Sequence, residues 1–161
     1  MKVKVKELTL DAFREYGSFV NMINPTVTGF GEEPCQFFRD MLVLGNPCMA
    51  SFSICRVTKR PFVIETSEYH TAACEGILPL DSDVLIHVAP ATQNGVIPTE
   101  YEVFKVPKGT LVTLKAGVWH HAPFAVDSEV ANNIIVLPER TYANDCIVYE
   151  LKDSEKIEIE I

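Results

Sequence analysis

The sequence predicts an all-β fold, a single small barrel with one short helix near the N-terminus. From Met49 onward, eight short runs rich in β-branched and aromatic residues follow one another along the chain. Turn residues separate these runs at the intervals typical of β-sandwiches and barrels. The chain has 161 residues, of which 47% are hydrophobic, so we expect one domain, residues 1–161, with a sizeable core.

The predicted strands are short and evenly spaced. They are Met49 to Val57, Phe62 to Thr66, Gly76 to Leu80, Val84 to Val88, Tyr101 to Val106, Thr110 to Leu114, Ala131 to Leu137 and Ile147 to Leu151. Charged and aliphatic residues also alternate at both ends of the chain, in residues 1–7 and 156–161, which predicts one further strand at each end.

One short helix is predicted before the barrel, in residues 10–16. Thr9 can cap its N-terminus and Gly17 can end it. Residues 18–48 hold prolines and glycines among aromatic residues, which predicts irregular structure that covers one mouth of the barrel. Residues 89–99 are rich in Pro, Asn, Gln and Gly, so we expect an exposed loop there.

The composition argues against several classes of protein. The net charge is −8 and no basic stripe interrupts it, so we expect no nucleic-acid partner. No apolar run reaches the roughly 18 residues of a membrane-spanning helix, and the N-terminus lacks a secretory signal, so we expect no membrane association. The five cysteines are odd in number and far apart, which indicates reduced thiols in a cytoplasmic protein.

The segment from Gly109 to His120 is the most informative motif. Glycines at two corners, Gly109 and Gly117, allow tight turns that deliver His120 onto a rigid strand. The spacing resembles the second conserved motif of the cupins, with Lys115 in place of a proline and Phe124 in place of the usual terminal asparagine. This resemblance implies a cupin-type double-stranded β-helix, which is a jelly-roll barrel.

An upstream segment resembles the first cupin motif, His, one residue, His, four residues, Glu. Here Glu68 stands in place of the first histidine, and His70 and Glu75 match the other two positions. Residues two apart on a strand face the same side, so Glu68 and His70 can converge inside a barrel. His120 and Glu75 would join them from other strands.

Two imidazoles with one or two carboxylates suit a divalent ion such as Ni, Zn, Mn or Fe. We therefore predict His70, His120, Glu75 and Glu68 as metal ligands, while the donor types do not determine which ion binds. The alternative is that both histidines are half-buried and bond only to the backbone.

The two remaining histidines have weaker claims to a metal. His87 lies in a strongly apolar strand without a companion at ligand spacing, so we interpret it as a packing residue. His121 follows His120 and should point to the opposite face of a regular strand. We therefore expect it to support a metal ligand without binding the ion, or to lie at the surface.

The run Val118-Trp-His-His-Ala-Pro-Phe124, together with Glu68-Tyr-His70, resembles the ureidoglycolate lyase family of allantoin degradation. The resemblance spans most of the chain and implies a cupin, commonly a homodimer, that converts ureidoglycolate into glyoxylate and urea with help from a divalent metal. It thus implies a carbon–nitrogen lyase that acts on a small hydroxy acid. This sequence carries Glu75 where glutamine can occur, which puts the identity of the substrate in doubt.

The resemblance also implies roles for single residues. With His120 holding the ion, the base would be Glu75 or Glu68, whichever is not a ligand. Arg56 occupies the family's arginine position and could bind the substrate carboxylate through its guanidinium, although it could equally be a solvated cation at a strand end. Lys105 and His121 are weaker candidates for substrate binding.

Two other functions remain compatible with the sequence. One keeps the barrel and the metal but changes the reaction to isomerisation, decarboxylation or dioxygenation of another small hydroxy or keto acid. Native iron together with oxygen consumption would favour that reading. The other is a non-catalytic cupin that binds a small molecule. An occluded barrel without bound metal would support this second hypothesis.

Overall fold

Thirteen strands and two short helices form the described part of the chain, residues 1–46 and 48–161, in a computed structural model. In chain order they are β1 (Lys2–Glu7), α1 (Leu10–Phe13), β2 (Gly17–Asn21), β3 (Ala50–Thr58), β4 (Val63–Ile64), β5 (Thr66–Tyr69), β6 (Glu75–Pro79), β7 (Val84–Val88), β8 (Glu102–Val106), β9 (Thr110–Leu114), β10 (Phe124–Ala125), β11 (Val130–Pro138), α2 (Thr141–Asn144), β12 (Ile147–Glu150) and β13 (Ile157–Glu160).

The strands form two large sheets and one small pair. The six-stranded sheet has the order β10-β7-β8-β1-β13-β4, and the five-stranded sheet has the order β2-β9-β6-β11-β3. The pair β12-β5 lies apart from both. Strand β1 runs parallel to β8 and to β13, and the other paired strands are antiparallel. The predicted all-β barrel of the cupin type is confirmed.

Two clusters of buried side chains fill the fold. The inner core includes residues from both large sheets, among them Ile86 of β7 and Ile135 of β11. The outer core packs on the other face of the six-stranded sheet and includes Leu85 and Trp119. All five residues of β7 are buried, because alternate side chains enter one core or the other. This double coverage explains the apolar run that the sequence shows there.

Most predicted strands agree with the structure within one or two residues. The predicted strand Phe62 to Thr66 is instead split between β4 and β5, and helix α1 and strand β2 also differ from prediction. The helix ends at Phe13 instead of residue 16, although Thr9 caps it as expected through a hydrogen bond from Ala12 N, at 3.3 Å. Strand β2 begins at Gly17, where a Cβ atom would lie 1.6 Å from the Thr113 carbonyl oxygen. Gly17 therefore allows close strand pairing and does not act as a helix stop.

The additional helix α2 and the two-residue strand β10 were not predicted. Both are too short to show a periodic pattern in the sequence. Residues 22–46 contain no strand, as expected for irregular structure, and a single bridge links Phe30 to Phe37. The predicted irregular segment also includes Pro47, which lies outside the described residues. The predicted loop at 89–99 holds one turn of 3₁₀-helix, Gln93–Gly95.

Within the described residues, neither helix has the length and hydrophobicity that crossing a membrane requires.

Candidate metal centre

A short backbone bridge brings two of the predicted ligands to the same face. Glu68 of β5 and His120 pair in antiparallel fashion, with the N atom of Glu68 2.6 Å from the carbonyl oxygen of His120 and the reverse pair at 2.8 Å. Side chains of directly paired residues lie on one side of a sheet. His70, two residues beyond Glu68, is held to the next turn because its carbonyl oxygen accepts a hydrogen bond from Gly117 N, at 2.7 Å.

Glu75 reaches the same place from another strand. It is the first residue of β6 and pairs with Leu114 of β9. Its side chain shares a strand face with Ile77, which belongs to the inner core. The carboxylate of Glu75 therefore enters the barrel from the wall formed by the five-stranded sheet.

His70, Glu75 and His120 meet at one oxygen atom. Oε2 of Glu75 lies 3.0 Å from Nε2 of His70 and 3.0 Å from Nε2 of His120. All three residues are at most 5% exposed. We call this group the Glu-His-His cluster. Solvent competes little with ligands at such a depth, so the polar atoms of the cluster depend on one another or on a bound ion.

The backbone fixes the orientation of both imidazoles. Nδ1 of His70 lies 2.6 Å from the carbonyl oxygen of Asp145, and Nδ1 of His120 lies 2.8 Å from that of Val118. A carbonyl oxygen can only accept, so each Nδ1 carries the proton and donates it. In the neutral imidazole this leaves Nε2 with a free lone pair, which is the arrangement of metal-binding histidines.

Glu68 supplies a second carboxylate beside the histidines. One of its oxygens and one nitrogen from each of His70 and His120 all lie within 4.8 Å of one another. The other interaction of this half-buried side chain is a hydrogen bond from the thiol of Cys146, at 3.2 Å from Oε2. The structure thus places both predicted carboxylates next to the two histidines, Glu75 at 3.0 Å from each and Glu68 within 4.8 Å.

The electrostatics of the cluster favour a cation. Burial alone would raise the pKa of Glu75, but the charge and hydrogen bonds of His120 and His70 lower it to about 2. Burial also opposes a positive charge on His120, yet the nearby carboxylate of Glu75 outweighs it and raises the pKa of His120. An ionised buried carboxylate therefore requires a positive partner, which a proton on histidine or a metal ion can provide.

The spacing of the cluster fits a metal ion. Imidazole and carboxylate ligands lie about 2.1 Å from a first-row divalent ion, so two ligands at right angles are about 3.0 Å apart. Both histidine–glutamate distances have this value, which is also that of an ordinary N–H···O hydrogen bond. The donor set, two imidazoles and at least one carboxylate, suits several transition-metal ions and does not select one.

Two neighbours of the cluster were not suggested by the sequence. The carboxylate of Asp145 accepts hydrogen bonds from the backbone N atoms of Thr71 and Ala72, at 2.7 and 2.9 Å, while its carbonyl oxygen holds His70. The ring of Tyr142 packs edge-on against that of His70, with centroids 6.5 Å apart. No local pattern indicates these contacts, because they join the end of β5 to α2, about 75 residues away.

The three predicted substrate-binding residues lie elsewhere. Arg56 faces outward on β3, where its Nε donates to Oδ1 of Asn132 at 2.8 Å. Lys105 forms ion pairs with Asp83 and Asp127, at 3.2 and 3.7 Å.

His121 points to the face opposite His120, as expected, and lines a cavity with Arg60 and His87. His87 itself is buried in β7, as expected for a packing residue.

Comparison with known proteins identifies the family. The family model described as ureidoglycolate lyase matches residues 1–160. No curated protein sequence matches the chain significantly.

Three solved structures illustrate the structural similarity. The epimerase RmlC of Legionella pneumophila, in complex with dTDP-4-keto-L-rhamnose, has a TM-score of 0.53 and 9% identity, over 86% of this chain and 80% of that one. Oxalate decarboxylase of Bacillus subtilis, with Mn(II) centres, has a TM-score of 0.45 and 12% identity, over 65% of this chain. A 4-keto-6-deoxy sugar epimerase of Streptomyces spheroides has a TM-score of 0.45 and 12% identity, over 67% and 53% of the two chains.

These similarities differ in what they establish. The chain spans about a quarter, 24%, of the length of the oxalate decarboxylase that it matches. The match to the Legionella epimerase, at 9% identity, shows a shared fold alone. The family model, in contrast, covers almost every residue, including both motif histidines and Glu75. The chain therefore belongs to the ureidoglycolate lyase family.

Proposed function

We propose that this protein is a metal-dependent carbon–nitrogen lyase that cleaves ureidoglycolate into glyoxylate and urea, a step of allantoin and purine degradation. The observation that carries the proposal is the shared oxygen of Glu75, 3.0 Å from Nε2 of both His70 and His120, in a chain that matches the family over residues 1–160. The five thiols, all free in the described residues, support a reducing compartment such as the cytoplasm.

The proposed reaction has three requirements. The hydroxyl group of the substrate must lose its proton, its oxygen must form the aldehyde double bond, and the bond from carbon to the ureido nitrogen must break. The electron pair of that bond remains on nitrogen, which must gain a proton to leave as urea. One proton leaves oxygen and one reaches nitrogen, so a single group that accepts and then donates a proton completes the balance.

We assign His70, His120 and Glu75 as the residues that hold the ion. The support is that all three aim at one point, that each histidine donates its Nδ1 proton to the backbone, and that Glu75 is ionised. A divalent ion bound there would act as a Lewis acid that lowers the pKa of a substrate hydroxyl. The protein contributes the fixed geometry, since all three side chains are buried and none can rotate freely.

Glu68 is the proton carrier in this proposal. Glu75 is already engaged by both histidines, whereas among residues 1–46 and 48–161 only the Cys146 thiol donates a side-chain hydrogen bond to Glu68, at one of its oxygens. The remaining lone pairs of Glu68 are close to the histidines and are free to take the hydroxyl proton. The same carboxyl group then returns that proton to the ureido nitrogen.

Tyr142 is our candidate for orienting the ureido group. Burial raises the pKa of its phenol, and the carboxylates of Glu75 and Glu68 raise it further, so the hydroxyl keeps its proton. A protonated phenol beside the cluster can donate a hydrogen bond to the ureido carbonyl oxygen. Tyr142 is 59% exposed as a whole residue and packs against His70, so it lies on the solvent side of that histidine, where we propose that the substrate enters.

The direct test is glyoxylate production by the purified protein supplied with ureidoglycolate, before and after exhaustive chelation. We expect activity that is lost with the metal and returns when a divalent ion is added, and elemental analysis of the purified protein would identify the native ion. Glyoxylate formation that survives complete metal removal would overturn the proposed mechanism. Absence of glyoxylate with every ion tested would overturn the proposed reaction.

We also propose that the protein is a homodimer. Strand β3 lies at the edge of the five-stranded sheet, and its outward face carries Phe52 and Ile54, which are 74% and 60% exposed. Large apolar side chains on an edge strand commonly lie at an interface between subunits. Light scattering after size exclusion should give the mass of two chains, and Ile54→Glu should give the mass of one.

A further inference from the structure

A second cavity lies on the other side of the backbone that carries His120. Its volume is about 280 Å³, and it opens between β7 and the segment 60–66. Arg60, His87 and His121 supply its nitrogen-bearing side chains, and Phe124 forms part of its wall. His120 and His121 are consecutive and point to opposite faces, so this cavity is separate from the Glu-His-His cluster.

The buried end of the cavity is formed by His87. This side chain is 1% exposed, and among the described residues neither of its ring nitrogens has a hydrogen-bond partner. The rings of Tyr101 and Phe124 flank it, with centroids 5.7 and 6.1 Å away. Buried side-chain nitrogens are normally paired, so the nitrogens of His87 are available to a ligand or a water molecule in the cavity.

Arg60 supplies a positive charge at the same cavity. One of its guanidinium nitrogens, Nη2, donates to the carbonyl oxygen of Ala122 at 2.8 Å, and the group stacks over the ring of Phe124 at 4.0 Å. Within residues 1–46 and 48–161, no carboxylate lies within ion-pair distance of Arg60. Since a guanidinium has five N–H donors, several remain available for a ligand.

Among the described residues that line the cavity, Glu65 is the acidic one, and its charge also acts on Arg60. Glu65 forms an ion pair with Lys156, at 3.1 Å, and its side chain is 59% exposed. Its charge is therefore shared with Lys156 and largely exposed to solvent. The cavity combines an unpaired guanidinium, two imidazoles and an aromatic wall in a protein whose net charge is −8. Such a set of donors attracts an anion with planar acceptor atoms.

We propose that this cavity binds a small carboxylate, with the guanidinium of Arg60 on its two oxygens and a ring N–H of His87 as a further donor. A carboxylate matches the fork of N–H groups on arginine, and the cavity volume of about 280 Å³ admits a small organic molecule. This binding site is independent of the lyase reaction, so the proposal is tested by measurements of binding and not of activity.

Acetate is a suitable probe because it has the carboxylate and little else. We expect a titration followed by NMR to give saturable shifts of the ring protons of His87 and His121, and acetamide, its neutral isostere, to give none. Arg60→Gln should weaken acetate binding at least tenfold, and His87→Gln should weaken it by a smaller factor. Arg14→Gln, which removes the same charge from an exposed position directly after helix α1, is the matched control and should bind like wild type.

A second arm separates this cavity from the metal centre. Glu75→Gln alters the Glu-His-His cluster and should leave acetate binding at the cavity unchanged. If Arg60→Gln does not fold, Arg60→Lys keeps the charge without the planar fork and should still lower the affinity. The proposal is overturned by non-saturable shifts, by equal binding of acetamide, or by acetate binding that Glu75→Gln removes and Arg60→Gln does not.

Discussion

Nδ1 of His70 lies 2.6 Å from the backbone carbonyl oxygen of Asp145, 75 residues further along the chain. The carboxylate of the same residue accepts hydrogen bonds from the backbone of Thr71 and Ala72, directly after the histidine. Asp145 therefore fixes both the ring of His70 and the turn that follows it. This contact ties the end of helix α2 to a proposed metal ligand.

Replacing Asp145 by alanine tests this link. The variant keeps the carbonyl oxygen but loses the two backbone hydrogen bonds, so the turn and the ring of His70 become less well oriented. Mutation of a residue that hydrogen-bonds to a metal ligand typically lowers the metal affinity about 10- to 100-fold. We expect a loss of metal affinity in that range. Competition with a chromophoric chelator measures it. Asp153→Ala, at a 98% exposed side chain, is the control and should leave the affinity unchanged.

Glu75→Gln tests the central ligand. The amide keeps the size of the side chain but removes the charge that both histidines face at 3.0 Å. We expect metal affinity and glyoxylate production to fall by more than about 100-fold. This is the upper end of the loss caused by mutating a residue that only hydrogen-bonds to a metal ligand. Glu139→Gln, on an exposed residue, is the matched control. A Glu75→Gln variant that retains its metal would contradict the assignment of this residue as a ligand.

Glu68→Gln separates the role of proton carrier from that of ligand. If Glu68 moves the proton, the variant should bind metal as tightly as wild type while kcat falls by roughly 10²- to 10⁴-fold. Metal content and kcat measured on the same preparation decide the matter. A parallel loss of metal and activity would instead make Glu68 a fourth ligand, which its position within 4.8 Å of both histidines allows geometrically.

The sequence predicted the barrel, and it also indicated which side chains meet at the proposed metal centre, because both leave local patterns. The strands around β7 and β9 are bounded by turn residues, and the glycines at 109 and 117 have positive φ angles of 75° and 83°, as the turns before His120 require. Spacing of two residues placed Glu68 and His70 together. The arrangement of Glu75 relative to both histidines required the pairing of β6 with β9, which no local pattern specifies.

The remaining parts of the site could not be read from the sequence, because they depend on contacts between distant segments. Asp145 and Tyr142 reach His70 only through the position of α2, a four-residue helix without periodic pattern. Arg56 was a candidate for the substrate carboxylate, but a single register, Asn132 opposite Arg56, places it on the outward face of β3. A shift of one residue in the pairing of β3 with β11 would have turned Arg56 to the inner face of the sheet.

His87 should make the protein sensitive to acid. Burial lowers the pKa of His87 well below its ordinary value, and the positive charges of His121, His120 and Arg60 lower it further. Below about pH 6.5 the unfolded chain binds a proton at this residue that the folded protein does not bind. The free energy of unfolding therefore falls as the pH falls, by at most about 1.4 kcal/mol per pH unit for this group.

The measurement is urea unfolding between pH 7.5 and pH 5, compared in wild type and His87→Gln, in a buffer without carboxylates. Other groups titrate in the same range, and His120, whose pKa is raised, acts in the opposite direction, so the difference between the two proteins isolates His87. We expect the curves of the free energy of unfolding to be parallel above pH 7 and the wild-type curve to fall more steeply as the pH falls, because only wild type contains a buried neutral His87. Curves that stay parallel down to pH 5 would show that His87 is protonated as easily in the folded protein as in the unfolded chain.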